Sequence, residues 1–332
     1  MAKIPKEKTP NTEKKPRKKR KKPKVTVLST YQLMQRFPNE QTAIDYLTPI
    51  LWPNGAICPY CKSMDVADRH RLNQWHCRKC REDFTIRVGT IFHRSHVPLH
   101  KWLYAMYLLV TARKGVSSQQ LSKEVGVTQK TAWFLTQRIR TGCGNQIDKI
   151  LSGIVEVDEV YIGGLEKNRH ANKKLKLGRG PVGKVPVVGL RDRNGQVVAK
   201  VAKATDAATL QGAIFHTTVL GTTVCTDEHK SYIGLGSHFD HRTVCHSAKQ
   251  FVDGMAHTNG IESVWAVIQR GFYGIYHSFS EKHLARYIDE FVFRLNEGNC
   301  GIDTMDRLES LVKGMADRRL TYRMLVDEKK AA

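Results

Sequence analysis

No stretch of this 332-residue sequence stays apolar for long: LYAMYLLV at 103–110, in the most apolar segment, has eight residues, against the roughly 20 that a membrane-spanning helix needs. A spanning segment of that kind is excluded. The N-terminus is charged and carries no apolar segment resembling a secretory leader, so export is not expected. Neither a lipidation motif nor a basic amphipathic helix directs the chain to a membrane surface. Internal repeats are absent, which excludes a solenoid. Acidic residues are scarce: 31 Asp and Glu stand against 54 Lys and Arg, a net charge of +23. A surplus of that size excludes an ordinary neutral enzyme surface and calls for a polyanionic partner, with nucleic acid the first choice.

The cysteine pattern of a disulfide scaffold is also missing. Of eight cysteines, Cys58, Cys61, Cys77 and Cys80 form one tight group, while Cys143, Cys225, Cys245 and Cys300 are scattered singly. Metal spacing plus isolated thiols suits a reducing compartment. The chain reads as a soluble intracellular protein. An apolar content of 41 % supports real cores, and the length allows two or three compact domains.

Charge is concentrated first in residues 1–25, which hold twelve Lys or Arg against two Glu. Like charges and Pro oppose collapse, so this segment reads as a disordered basic arm that adds phosphate affinity. Residues 28–51 read as two helices separated by a Pro38-Asn39 turn. Then CPYCKSMDVADRHRLNQWHCRKC places two CxxC pairs fifteen residues apart. Two thiolates from each tight turn reach one ion, and four sulfurs close a tetrahedral structural Zn²⁺ site, Cys58, Cys61, Cys77 and Cys80. His70 and His76 lie nearby, but the sulfurs already fill the coordination shell. Arg69, Arg71, Arg78, Lys79 and Arg81 make this ribbon basic.

Pro98 begins a helix with Trp102, Leu103, Met106 and Leu109 on its apolar side. In SSQQLSKEVGVTQKTAWFLTQRIR, 117–140, Ser117 or Ser118 can cap one helix, Gly126 supplies a turn, and Thr128 can cap the next. Leu121, Val125, Val127, Ala132 and Leu135 supply the small apolar packing of a helix-turn-helix. Gln129, Lys130, Thr131 and Trp133 then fall near the start of a recognition helix. An ordinary helical hairpin fits the same pattern.

From residue 154 the periodicity changes to strands: IVEVDEVYIGG, VPVVGL (185–190), QVVAKVA (196–202), TTVCTDEH (222–229) and RTVCH (242–246), with a helix over 206–219. The first strand holds Glu156, Asp158 and Glu159, and a carboxylate inside a strand needs a cation or a metal. Asp227 closes a second short apolar strand. Glu262 falls near the first turn of a helix that Thr258 or Asn259 can cap, where the helix dipole favours a carboxylate. Three carboxylates from two strands and a helix can hold a pair of Mg²⁺ ions, which take oxygen ligands and phosphate oxygens. Sixty-eight residues separate Asp158 from Asp227, and thirty-four separate Asp227 from Glu262. Glu156 shares a strand face with Asp158 and is a secondary candidate; Glu159 points to the other face.

EVDEVYIGG, VCTDEHKSY and HTNGIESVW resemble the three catalytic blocks of DDE transposases. More specifically, the chain resembles bacterial insertion-sequence transposases with a zinc ribbon ahead of the catalytic domain, relatives of the eukaryotic Merlin elements. The likeness covers residues 35 to 325, approximately, and leaves out the basic arm. It implies an α/β, RNase H-like core, a mixed sheet flanked by helices, in which Asp158, Asp227 and Glu262 bind two Mg²⁺ or Mn²⁺ ions. It also implies double-stranded DNA as partner, both element ends and target, and a homodimer or larger assembly on that DNA. Cleavage would expose a 3′-OH that then attacks target DNA.

The expected organisation is a basic arm (1–25), a helical lead-in with the zinc ribbon (26–95), a helix-turn-helix-like region (96–147), the catalytic domain (150–298) and a helical tail (299–332). The insert EKNRHANKKLKLGRGPVGK, 166–184, reads as a DNA-contacting loop, with Lys173, Lys174, Lys176 and Arg179 as candidates. Asn259 and His257 flank Glu262; Asn259 is a candidate phosphate contact, with helix capping as its alternative. Helix 282–298 reads as core packing stopped by Gly298, and His277 and His283 are not read as ligands. Two rival functions share these residues: a metal-dependent nuclease that cuts without joining, and a DNA-binding regulator whose acid site no longer works.

Overall fold

Polar residues placed just ahead of apolar periodicity start the first helices. In the computed structural model, which describes residues 25–69, 74–144, 149–164, 170–174, 181–244, 254–316 and 318–326, Ser29 caps α1 (Thr30–Arg36) and Asn39 caps α2 (Glu40–Leu51). The basic arm, apart from its last residue, lies outside the described residues. A three-stranded antiparallel ribbon follows, β1 (Val66–Asp68), β2 (Trp75–Cys77) and β3 (Asp83–Phe84). Trp52, Trp75 and Phe84 pack beneath it with ring centroids 5.0–6.1 Å apart. Next come α3 (Leu99–Thr111), α4 (Ser118–Val125) and α5 (Gln129–Cys143). Ser117 caps α4, Gly126 ends it in the left-handed region (φ 70°), and Thr128 caps α5, all as the sequence predicts. The predicted apolar residues of α3, Trp102, Leu103, Met106 and Leu109, are buried in the core of this helical body.

The second half builds one sheet. β4 (Ile154–Ile162) pairs antiparallel with β5 (Val185–Asp192), which pairs antiparallel with β6 (Val197–Val201). The crossover helix α6 (Ala207–Thr217) then returns the chain to the other side of β4, where β7 (Thr223–Thr226) and β8 (Asp240–Thr243) run parallel to it. The order is β6-β5-β4-β7-β8, with β4 central. Alternation along the strands divides the core. Val155, Val157, Val188 and Val198 face Leu210 and Ile214 of α6. Val187, Val197 and Ala199 face the opposite layer, formed by α7 (Asn259–Gly271) and α8 (Glu281–Leu295). A mixed sheet with its first strand central and helices on both faces is the RNase H-like arrangement expected from the resemblance.

The C-terminal region does not trail away. α9 (Thr304–Lys313) packs on α2 and α3, and Leu308, Leu311 and Val312 enter their core. Residues 26–28 are strapped to it, Thr26 N–H donating to Asp303 Oδ1 at 2.6 Å and Leu28 N–H to Thr304 Oγ1 at 3.1 Å. The short α10 (Tyr322–Val326) lies against α5, Tyr322 meeting Phe134 edge-on at 5.7 Å. α8 is shared: it packs on β6 and on α5, and joins the helical body to the sheet. Its buried Glu290 accepts from Arg140 of α5, from Arg294 and from Tyr276, at 2.5–2.8 Å. Among the described residues no helix is long and apolar enough to cross a membrane.

Candidate active site and zinc cluster

Each CxxC pair closes one tight turn. Lys62 N–H returns to the Cys58 carbonyl at 2.9 Å, and Arg81 N–H to the Cys77 carbonyl at 2.8 Å. Lys62 and Arg81 both take φ 60° to do so. The turns bring all four sulfurs within 4.8 Å of one another, with Cys58–Cys80 at 3.6 Å and Cys61–Cys77 at 3.5 Å. A tetrahedral Zn²⁺ with bonds of about 2.3 Å sets its sulfurs roughly 3.8 Å apart, so the donor set and its size fit zinc. Backbone N–H groups, that of Cys80 first, pull the Cys77 thiol down to about 7. His76 is turned away to Asp83 (2.7 Å) and Arg69 (3.0 Å) and is no ligand. His70 and Arg71 lie outside the described residues.

The parity of β4 sends Glu156 and Asp158 to the α7 side of the sheet, and their surroundings differ. Glu156 is 2 % exposed and fully engaged. It accepts from the Ile261 N–H at 2.8 Å and from Arg193 at 2.6 Å, and His257 Nδ1 stands 3.4 Å away. Glu156 is therefore the N-terminal anchor of α7. Thr258 stands at the N-cap position, as the sequence allows, but the side-chain cap expected of Thr258 or Asn259 is not formed. Thr258 makes no side-chain cap bond to the backbone; its hydroxyl donates to Glu262 Oε1 at 3.2 Å, and Asn259 is the exposed first residue of the helix. A buried carboxylate on the neighbouring strand outcompetes a local cap because it brings a full charge to the helix N-terminus.

Asp158 is half-buried and accepts from neutral donors, the Trp265 indole N–H at 3.0 Å and the Glu159 backbone N–H. Trp265 lies flat on the sheet because β5 offers Gly189 opposite Asp158; a Cβ there would meet the indole at 2.3 Å. Burial pushes the Asp158 carboxyl up to about 7; the charges of Glu159 and Asp227 add to the rise, against the hydrogen bonds from the Glu159 backbone and Trp265, and no cation of the described residues is among these leading influences. Asp227 follows β7 directly, half-buried, with Oδ1 accepting from the His229 N–H at 3.0 Å. Glu159, on the opposite strand face as predicted, accepts from Tyr232 at 2.7 Å. Glu262 is exposed on the first turn of α7.

Asp158 and Asp227 thus feel each other, and Trp265 links β4 to the helix that carries Glu262. The three acids are not drawn into one tight group; among the described residues only the four cysteines are. The set nevertheless suits a hard divalent ion: oxygen donors, partial burial, and a carboxylate whose charge lacks compensation. Sequence reasoning missed Trp265, Arg193 and Tyr232. For Trp265 a signal existed, namely its position three residues after Glu262 and a glycine inside the strand VPVVGL.

The other candidates are distributed. Gln129 and Lys130 are exposed at the start of α5, and Thr131 is half-buried. Gln129 donates to Ser118 Oγ at 2.8 Å, Lys130 sits 5.0 Å over the Tyr322 ring, and the Thr131 and Thr128 hydroxyls are 2.9 Å apart. Trp133 packs edge-on to His283, and burial lowers that imidazole to about 4, so it stays neutral. His277 is exposed with φ 59°. Lys174 is exposed after a short turn of 3₁₀ helix, Ala171–Lys173. The Lys173 side chain, Lys176 and Arg179 lie outside the described residues.

Residues 150–296 match the ISXO2-like transposase domain family, and residues 38–83 match the transposase zinc-ribbon domain family. A protein of Halobacterium salinarum, described as an uncharacterized protein in transposable element ISH50, is 30 % identical over 275 residues, covering 79 % of this chain and 92 % of that relative.

Proposed function

The chain belongs to the ISXO2-like, DDE-type transposases, and from that premise we propose that it binds the ends of its own mobile element, cleaves them with two divalent metal ions and transfers the 3′-OH ends into target DNA. The observation that carries the site assignment is the contrast on β4: Glu156 has its cation in Arg193, whereas among the described residues no cation pairs with Asp158. Asp158, Asp227 and Glu262 are the residues assigned to hold Mg²⁺ or Mn²⁺. Such ions, when bound, activate the attacking oxygen and stabilise the leaving one.

The chain's own residues do the rest. Trp265 fixes the Asp158 carboxylate by one hydrogen bond, and Glu156 fixes the start of α7 and so the place of Glu262. Cys58, Cys61, Cys77 and Cys80 hold the structural Zn²⁺. Gln129, Lys130 and Thr131 at the start of α5 meet the element ends, while the basic arm, Lys173, Lys174, Lys176, Arg179 and Asn259 add phosphate contacts. Two ends must be held together, so the working form is a homodimer or larger assembly on double-stranded DNA, in the cytoplasm beside the nucleoid or in a nucleus.

The test uses a supercoiled plasmid carrying the gene with its native flanks, incubated with protein and Mg²⁺, with products mapped by sequencing. Cuts at the flanking ends, joined to new sites and lost in Asp158→Ala, are the expected result. Cutting without joining would make it a nuclease; tight binding without metal-dependent cutting would make it a regulator.

A further inference from the structure

A guanidinium group that keeps N–H donors buried without partners is costly, because it has given up water and gained nothing in return. Two such groups meet in one place. Arg294, in the last turn of α8, gives Nη1 to Glu290 at 2.5 Å, while its Nε and Nη2 have no partner among the described residues. Arg307 of α9 gives Nη1 to the Val110 carbonyl and Nη2 to Thr304 Oγ1, both at 3.0 Å, and its Nε has none. They are 7 % and 3 % exposed. Both line a cleft of about 240 Å³ between the ends of α3 and α8 and the side of α9. The exposed Arg113 lines it too, with Nη2 3.1 Å from the Cys300 sulfur.

The carboxylates that act on the two buried arginines are Glu290, which is shared with Arg140, and Asp303. Burial lowers the Arg307 pKa against the pull of Cys300, Tyr107 and Asp303, whereas Glu290 raises that of Arg294. A water accepts a hydrogen bond from a guanidinium but does not neutralise it, whereas an anion does both.

We infer that the cleft of Arg113, Arg294 and Arg307 is a phosphate-binding site. Planar guanidinium forks match the oxygens of a phosphate better than any other side chain. Val267, Leu295 and Asn299 also line a larger neighbouring cleft of about 500 Å³, which reaches Ser263 of α7. The phosphate is a DNA backbone phosphodiester or a free phosphate compound; only the first source rests on the transposase reading.

The test uses the full-length, zinc-loaded protein without Mg²⁺ and inorganic phosphate as the probe, against chloride at matched ionic strength. Phosphate raises the melting temperature of the wild type, by mass action on the folded state. In Arg113→Glu, an exposed position whose unliganded melting and zinc content serve as the folding control, the apparent affinity falls about tenfold or more, the loss of one charge-assisted contact. Arg113→Lys keeps part of it. No phosphate-specific shift in the wild type, or an equal shift in Arg113→Glu, overturns the site.

A second arm titrates duplex DNA. Weaker binding in Arg113→Glu, uniform across sequences and with a salt slope smaller by about one, identifies the DNA backbone as the source. A response to phosphate with unchanged DNA binding identifies a free phosphate compound. Neither arm reads DNA cleavage, so its failure and that of the transposase reading are distinguishable.

Discussion

Two carboxylates on one strand face, Glu156 and Asp158, carry opposite electrostatic histories. Glu156 accepts from Arg193 and from a helix N-terminus. Burial and two like charges hold the Asp158 proton on up to about 7, whereas an unfolded chain releases it near 3.9. Between those values the folded state binds the extra proton. Stability of the metal-free protein therefore falls as pH rises from about 4 to 7, and the full penalty remains above 7. Asp158→Asn removes the penalty and keeps an acceptor for Trp265. The variant should be more stable than wild type at pH 8, by on the order of 3 kcal/mol, with the gap closing by pH 4. Urea unfolding in Mg²⁺-free buffer at pH 4, 6 and 8 measures this. Added Mg²⁺ should raise the wild type and leave the variant unmoved. A gap independent of pH would show that Asp158 carries no such strain.

At the scale of elements, β4 and α7 form one device, and the sequence discloses only part of it. The alternation of β4 was legible, as were the positions of Asp158, Asp227 and Glu262 on a strand, a strand end and a first helical turn, because strand and helix periods are local. The role of Glu156 was not legible. Parity puts it beside Asp158, and only packing across 105 residues of chain reveals that its partner is the Ile261 N–H. Glu156→Ala should strand that N–H and the Arg193 charge, costing about 3 kcal/mol. It should also loosen the first turn of α7, and with it Glu262. Denaturant melts and amide exchange of residues 259–263 read the two effects; a stable variant with a protected Ile261 amide would refute the anchor. The CxxC turns were legible for a similar local reason, since two residues between thiols leave the chain one way to point both inward.

Across the whole molecule, distant segments share cores that no local pattern announces. α9 closes the core of α2 and α3, and Glu290 ties α8 to Arg140 of α5 across 150 residues. A helical tail read from sequence thus becomes part of the helical body, because its apolar stripe needs a partner and the nearest open one belongs to the N-terminal half. Charge is distributed differently again. Residues 1–24 contain twelve Lys or Arg and two Glu, so deleting them takes the net charge from +23 to +13. Nothing in the described cores depends on them. The deletion should leave thermal stability and zinc content unchanged while weakening binding to random duplex DNA. Each lost phosphate contact flattens the dependence of log K on log salt by about 0.9, so the slope should fall by several units if the arm lies along the backbone. The remaining charge still supplies a measurable slope, and the preference for element ends over random DNA should hold or rise, because phosphate contacts carry affinity without reading sequence. A slope unchanged by the deletion would mean that the arm does not touch DNA, and that the folded body alone carries the electrostatic attraction.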